Sequence, residues 1–282
     1  MTEVSGYPYA PLPRQEVDAL GISTSYTSAG NQDQPLVVLL HGMSASADAY
    51  RETMHELAND FWLIAPDLPG YGFSGDTLPY TLTHLVEWLA AFRDALELPP
   101  MRLVGHSFGG ALAARYCLAY PEDVIRLMLV APAVKAGTLL PDFLKRVGLT
   151  LGLVELGEKV SEAMPLTIEL VSRSIYDPEG IEQSVWPRRM KEYEMERADG
   201  DVLKALAFLD MGESLKRISQ PTLIVWGADD PVLPVAHAQQ IAASIPNAQL
   251  VIWDRCGHLP FLEKPVEFQQ VARAFLSGKE LT

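Results

Sequence analysis

A serine hydroxyl becomes a nucleophile only when a base takes its proton, and a carboxylate must hold that base in one tautomer. Ser107 stands at the centre of Gly105-His106-Ser107-Phe108-Gly109. Before it, the apolar run Arg102 to Val104 reads as a buried strand. After it, the spacing of Ala111, Leu112, Ala114 and Leu118 reads as a helix. A strand that turns directly into a helix forces one residue to a strained φ > 0, and glycines two positions either side leave it room. The hydroxyl is then lifted above the sheet edge, at the positive end of a helix. By chance the three-position pattern occurs in about one chain in ten of this length. The strand and helix around it supply the context that the chemistry needs.

The partners must come from loops at the same sheet edge. Of six histidines, His258 falls in Arg255-Cys256-Gly257-His258-Leu259-Pro260, directly after the last apolar strand. His55, His84 and His237 fall on or before helices and read as surface residues. His106 neighbours Ser107 but points away from it by the geometry of the turn. Two strand ends qualify for the acid. Val130 is followed by Ala131-Pro132-Ala133-Val134, without a carboxylate, whereas Trp226 is followed by Gly227-Ala228-Asp229-Asp230-Pro231. Asp230 is the first choice and Asp229 the alternative, the other aspartate serving as a turn residue. Two N–H donors are also needed for an oxyanion. Phe108 at the helix start offers one, and Met43, just after His41-Gly42, the other. His41 is either a second base or, as preferred, a brace for that loop; His41 and Gly42 are placed among the substrate-binding residues.

The elements that would position these residues follow from periodicity. Glu16 to Ser28 alternates around Gly21 as a β-hairpin. The continuous apolar run at 35–40 reads as a strand buried on both faces, as in a parallel sheet, and further strands are expected at 61–65, 125–130, 222–226 and 249–253. Helices are expected at about 48–59, 81–96 with Thr81 as N-cap, 235–244 and 266–276. This alternation fails between Lys135 and Lys216, where helical runs (139–154, 164–175, 202–211) follow one another without a convincing strand. The domain organisation is therefore a core in two parts, 1–134 and 217–282, with a helical cap inserted at 135–216.

With 22 basic and 36 acidic residues and a formal charge of −14, the chain is a poor partner for nucleic acid phosphates or anionic membranes. Its two cysteines, Cys117 and Cys256, offer neither a disulfide framework nor metal-ligand spacing. Met1 to Pro13 lacks the basic start and apolar core of a signal peptide, and no apolar run reaches the ~20 residues of a membrane span. These features predict a cytoplasmic protein, monomeric or homodimeric, with no stable membrane association and no metal or organic cofactor.

Taken together, His41-Gly42, Asp67-x-Pro69-Gly70-x-Gly72-x-Ser74, Gly105-x-Ser107-x-Gly109, Gly227-x-x-Asp230 and Gly257-His258 resemble the α/β-hydrolase superfamily over almost the whole chain, in its order Ser, Asp, His. The resemblance implies an α/β fold with a mostly parallel central sheet, flanking helices and a helical cap. In that family the aspartate three residues after the glycine is usually the triad acid, which favours Asp230. Haloalkane dehalogenases and epoxide hydrolases of this fold carry Asp where Ser107 stands, so neither activity is expected. Ring-fission carbon–carbon hydrolases resemble the chain at Trp226-Gly227-x-Asp229-Asp230. They usually have a glycine-rich loop where Met43-Ser44-Ala45-Ser46 stands, and need a cationic cap residue for the substrate carboxylate. Arg188 or Arg189 could serve, although an exposed helix arginine is the preferred reading of both.

The expected activity is therefore a serine carboxylesterase acting on a small-molecule ester, with Ser107, His258 and Asp230 as triad and Met43 and Phe108 as oxyanion donors. Leu139, Leu140, Phe143, Leu144 and Val147 suggest a hydrophobic pocket for small or medium acyl chains, with Phe143 and Leu144 as substrate contacts. The alternatives are carbon–carbon hydrolysis of ring-fission products, acyl transfer to an alcohol, and a low-turnover ligand-binding protein on the same fold.

Overall fold

Alternate residues of the apolar runs point to opposite faces, and this splits the interior in two. In a computed structural model, which describes residues 9–138 and 172–279, the strands are β1 (Arg14–Ala19), β2 (Ile22–Ala29), β3 (Leu36–Leu40), β4 (Trp62–Pro66), β5 (Met101–His106), β6 (Val124–Val130), β7 (Thr222–Gly227) and β8 (Ala248–Trp253). They form one sheet in the order β1-β2-β4-β3-β5-β6-β7-β8. The hairpin β1–β2 and the β2–β4 pair are antiparallel; every pair from β4 through to β8 is parallel. Leu36, Val38, Leu40, Leu103, Leu127, Leu129, Ile224 and Trp226 join one core. Val37, Leu39, Val104, Met128, Val130, Leu223 and Val225 join the other. Both faces are thus covered, which is why these runs are largely apolar.

Helices cover the two faces. Helix α2 (Leu82–Ala95) and α3 (Ser107–Ala119) pack on the first core through Leu85, Trp88, Leu89, Phe92, Leu112 and Tyr116. Helix α1 (Arg51–Leu57) and the last helix (Pro265–Leu276) pack on the second through Met54, Leu57, Phe268 and Phe275. Thr81 caps α2 as expected, its side chain accepting from the His84 N–H. The hairpin turn sits at Leu20 and Gly21, both at positive φ, as a two-residue turn requires. The helix expected from about 48 begins instead as a 3₁₀ turn, Ala47–Tyr50, because the Ser46 side chain caps it at Asp48.

Between β6 and β7 the described residues contain α4 (Val185–Glu194), α5 (Asp199–Leu206) and α6 (Gly212–Leu215), with 3₁₀ turns and no strand. The expected runs 139–154 and 164–171 lie outside the described residues, and the run 202–211 is α-helical only to Leu206. After β7 come α7 (Ala236–Ser244), α8 (Pro260–Glu263) and α9 (Pro265–Leu276). His237, expected at the surface, is buried at the start of α7. No helix among the described residues is long and apolar enough to cross a membrane.

Candidate active site

Parallel strands end on the same side, so the loops after β3, β5, β7 and β8 meet at one edge of the sheet. At the end of β5 the chain turns into α3 without a connecting loop. Ser107 takes up the turn with φ +51, a left-handed conformation that costs a non-glycine residue about 1–3 kcal/mol. Gly109 is obligatory there: a Cβ on it would stand 2.3 Å from the His41 carbonyl oxygen and 2.4 Å from that of Leu40. Opposite, a Cβ on Gly42 would lie 3.0 Å from Ser107 Cβ. The Ser107 carbonyl accepts from the Ala133 N–H at 2.9 Å, tying the turn to the chain beyond β6. Phe108 N–H belongs to the first turn of α3, where no intrahelical acceptor exists. The Phe108 ring is fully buried and stacks on Tyr80 at 6.3 Å.

His258 and Asp230 come together. His258 Nδ1 donates to Asp230 Oδ2 at 2.7 Å, with the histidine side chain 7% exposed and the carboxylate fully buried. That bond fixes the tautomer and leaves Nε2 as an acceptor. The other Asp230 oxygen accepts from the Val232 and Leu233 N–H groups at 2.8 and 2.9 Å. Asp229 instead accepts from the Arg255 N–H at 2.9 Å, a loop-fixing bond away from the imidazole. Gly227 lets the two loops meet, since a Cβ on it would stand 2.2 Å from the carbonyl oxygens of Cys256 and Gly257.

The His258 loop is held from every side by groups without a sequence motif to announce them. Glu263 accepts from the N–H groups of Gly257 (2.8 Å), Leu259 (3.0 Å) and Tyr176 (2.8 Å). The His258 N–H donates to the Ser174 carbonyl at 2.8 Å. His106 Nε2 donates to the His258 carbonyl at 2.9 Å, and the two rings lie 4.8 Å apart. Burial drives the His106 pKa well below its ordinary value, so it is a neutral prop beside His258.

His41 is likewise a brace. Its Nδ1 donates to the Gly42 carbonyl at 2.8 Å and its Nε2 accepts from the Leu68 N–H at 2.9 Å. The ring is 1% exposed, and burial lowers its pKa to about 4. With both nitrogens engaged by backbone, the residue expected among the substrate contacts has none left to offer a substrate. In a trans peptide the C=O and the following N–H point oppositely. By holding the Gly42 oxygen, His41 therefore sets the direction of the Met43 N–H.

Arg188 and Arg189 correct both expectations made of them. Neither is an exposed helix arginine: their side chains are 9% and 4% exposed. Nor does either charge stand unpaired: Arg188 pairs with Glu52 at 2.7 Å and Arg189 with Glu192 at 2.6 Å. Such buried pairs survive only as pairs, each charge compensating the desolvation of the other. Glu192 also accepts from the Ser46 hydroxyl at 2.8 Å, linking α4 to the loop after β3. Phe143 and Leu144, the other expected contacts, lie outside the described residues. So do Leu139, Leu140 and Val147. Cys117 and Cys256 are both buried, and burial raises each thiol's pKa, Cys117 to about 12. Among the described residues no group of His, Cys, Asp or Glu is arranged to hold a metal ion.

Residues 37–271 match the model of the alpha/beta hydrolase family. The chain belongs to that family. It is 28% identical to monoacylglycerol lipase abhd6-B of Xenopus laevis, over 94% of this chain and 85% of the lipase. Among solved structures, a hydrolase from Pseudomonas aeruginosa superposes with a TM-score of 0.78 at 27% identity, covering 95% of this chain and 98% of that one. A meta-cleavage product hydrolase, CumD, superposes with a TM-score of 0.76 at 25% identity, covering 94% and 98%. As a member of this family the protein is read as a hydrolase.

Proposed function

We propose that the protein is a serine hydrolase that cleaves carboxylic esters of small to medium hydrophobic acyl groups. The observation that carries the reading is the 2.7 Å bond from His258 Nδ1 to Asp230 at the sheet edge where Ser107 begins α3. In this mechanism Ser107 Oγ attacks the ester carbonyl while His258 Nε2 takes its proton. The oxyanion is received by the N–H groups of Met43 and Phe108, Asp230 stabilises the imidazolium, and the alcohol leaves with the proton from His258. Water then repeats the sequence to release the acid. The similarity to a monoacylglycerol lipase supports an ester as substrate. We take residues 135–216 as a cap over this edge, with a cytoplasmic location and a monomeric or dimeric state as further parts of the proposal.

The likeness to a meta-cleavage product hydrolase supports a second reading, carbon–carbon cleavage by the same three residues. Pairing of Arg188 and Arg189 with glutamates argues against it, since each cation already has a carboxylate partner. The test is hydrolysis of p-nitrophenyl esters from acetate to palmitate, with Ser107→Ala alongside. Turnover that peaks at short or medium chains and falls at least ~10³-fold in the variant is the expected result. Turnover of a coloured ring-fission product with none of the esters overturns the ester reading.

A further inference from the structure

Met43 lies between two peptide groups, the first of which carries its N–H, and each is held by a different part of the chain. His41 holds the preceding one through the Gly42 oxygen. The following one is held by Asp199, the first residue of α5, 155 positions further along the sequence. Asp199 Oδ1 accepts the Ser44 N–H at 3.1 Å and the Tyr71 hydroxyl at 2.7 Å. Its Oδ2 accepts the Ser44 hydroxyl. Ser44 itself sits at φ +50. A non-glycine residue stays in that left-handed region only while its surroundings over-determine it. The carboxylate does so through both donors of Ser44.

The segment that carries Asp199 is seated firmly. Two residues earlier, the Arg197 N–H donates to Gly70 O at 2.9 Å, and its guanidinium donates to Ser74 O at 2.6 Å and pairs with Asp76 at 2.9 Å. Between them Ala198 is buried so closely on Gly70 that a Cβ there would stand 2.6 Å from the Ala198 methyl. Arg197 thus grips the loop after β4, and Asp199 reaches across to the loop after β3.

We propose that Asp199 is a positioning residue for the oxyanion site: its carboxylate holds Ser44 left-handed and thereby aims the Met43 N–H. This rests on the reading of Ser107 as nucleophile and Met43 as oxyanion donor. An oxyanion donor works only within a few tenths of an ångström of its target, and it acts on the transition state far more than on the bound ester. Loss of the carboxylate frees Ser44 to relax and the Met43 peptide to turn, lowering kcat and leaving KM nearly unchanged. Asparagine still accepts from the Ser44 N–H and can donate to its hydroxyl, so it retains the function. Serine suits a helix start but is too short to reach.

The experiment compares wild type with Asp199→Ser, Asp199→Asn and Asp201→Ala on a p-nitrophenyl ester. Asp201 shares the first turn of α5 and pairs with Lys204 at 3.5 Å, so it reports general damage to that helix. Affinity for a trifluoromethyl ketone, which adds to the serine and forms an oxyanion, is measured beside that for the corresponding alcohol, which does not. In Asp199→Ser we expect kcat to fall about 30- to 100-fold, KM to stay within about threefold, and ketone affinity to fall with kcat while alcohol affinity holds. Asp199→Asn and Asp201→Ala stay within about threefold of wild type. Should Asp199→Ser not fold, Ser44→Ala removes one of the same bonds from the other end, and kcat must fall without KM. Undiminished kcat in a well-folded Asp199→Ser, or an equal fall in Asp201→Ala, overturns the role of Asp199. A wild type that neither turns over esters nor is labelled by a fluorophosphonate overturns the serine-hydrolase reading, and the Asp199 proposal with it.

Discussion

The loop after β3 and the loop after β8 lie on either side of Ser107, yet their supports come from different distances along the chain. The His258 loop is held by Glu263, six residues from Gly257 and four from Leu259. The loop from Gly42 to Ser46 is held by Asp199 and Glu192, 155 and 146 positions from their partners. The first arrangement comes with the last strand and its helix, since a short, stiff segment carries both the donors and the acceptor. The second exists only when α4 and α5 are seated on the sheet edge. The residue proposed as proton carrier is thus fixed by the core, and the residue proposed as oxyanion donor is shared with the segment between β6 and β7. The His258 side also touches that segment, through the Tyr176 N–H and the Ser174 carbonyl, and Leu259 and Leu262 share one buried apolar cluster with Ile175, Ile181 and Trp186.

The largest effect is expected on the locally built side. Asp230→Asn leaves the packing intact but favours the wrong imidazole tautomer, and kcat on the best ester should fall about 10³- to 10⁴-fold. Asp229→Asn, whose partner is the Arg255 N–H, should stay within about threefold. Steady-state kinetics of the two variants decide between adjacent aspartates, and equal losses would dissolve the assignment.

Acid should act on both sides, through the buried histidines that brace the two loops. Folding depresses the His41 pKa from an ordinary 6.5 to about 4. The unfolded chain therefore binds a proton that the folded loop refuses, and stability falls as pH drops from 6.5 towards 4. Between pH 7 and pH 5 this single group accounts for about 2 kcal/mol, with His106 adding in the same direction. Urea denaturation at the two pH values measures the loss, and His41→Asn should flatten the slope by a comparable amount. A wild-type stability that is level over this range would contradict the buried neutral imidazole.

A smaller effect probes Glu263. Its carboxylate accepts three backbone N–H groups. Glutamine keeps one acceptor oxygen, so Glu263→Gln should lower Tm by about 2–4 °C and kcat by about tenfold, roughly one hydrogen bond to a charged group. A kcat loss larger than that of Asp199→Ser would reverse the ranking of the two supports.

Much of this architecture is legible in the amino-acid sequence. The largely apolar runs mark the strands, because a sheet covered on both faces leaves few places for a polar residue within them. Thr81 and the Leu20-Gly21 turn announce themselves through local hydrogen bonding and backbone geometry. Gly-x-Ser-x-Gly, the two aspartates after Trp226 and the histidine after Trp253 are readable because strand ends of a parallel sheet share one edge. Order along the chain thus becomes proximity in space. What the tertiary structure decided was everything joining elements without common period or motif. It set Asp230 rather than Asp229 against His258. It buried Arg188 and Arg189 against Glu52 and Glu192, although an arginine on an amphipathic helix is more often a solvent residue. It brought Asp199 to Ser44, with nothing in either neighbourhood to foretell the other. The physical reason is common to these cases. Propensity and periodicity act over a few residues, whereas the partner of a buried charge or an unpaired N–H is chosen by which distant loop the packing of the sheet brings within hydrogen-bonding reach.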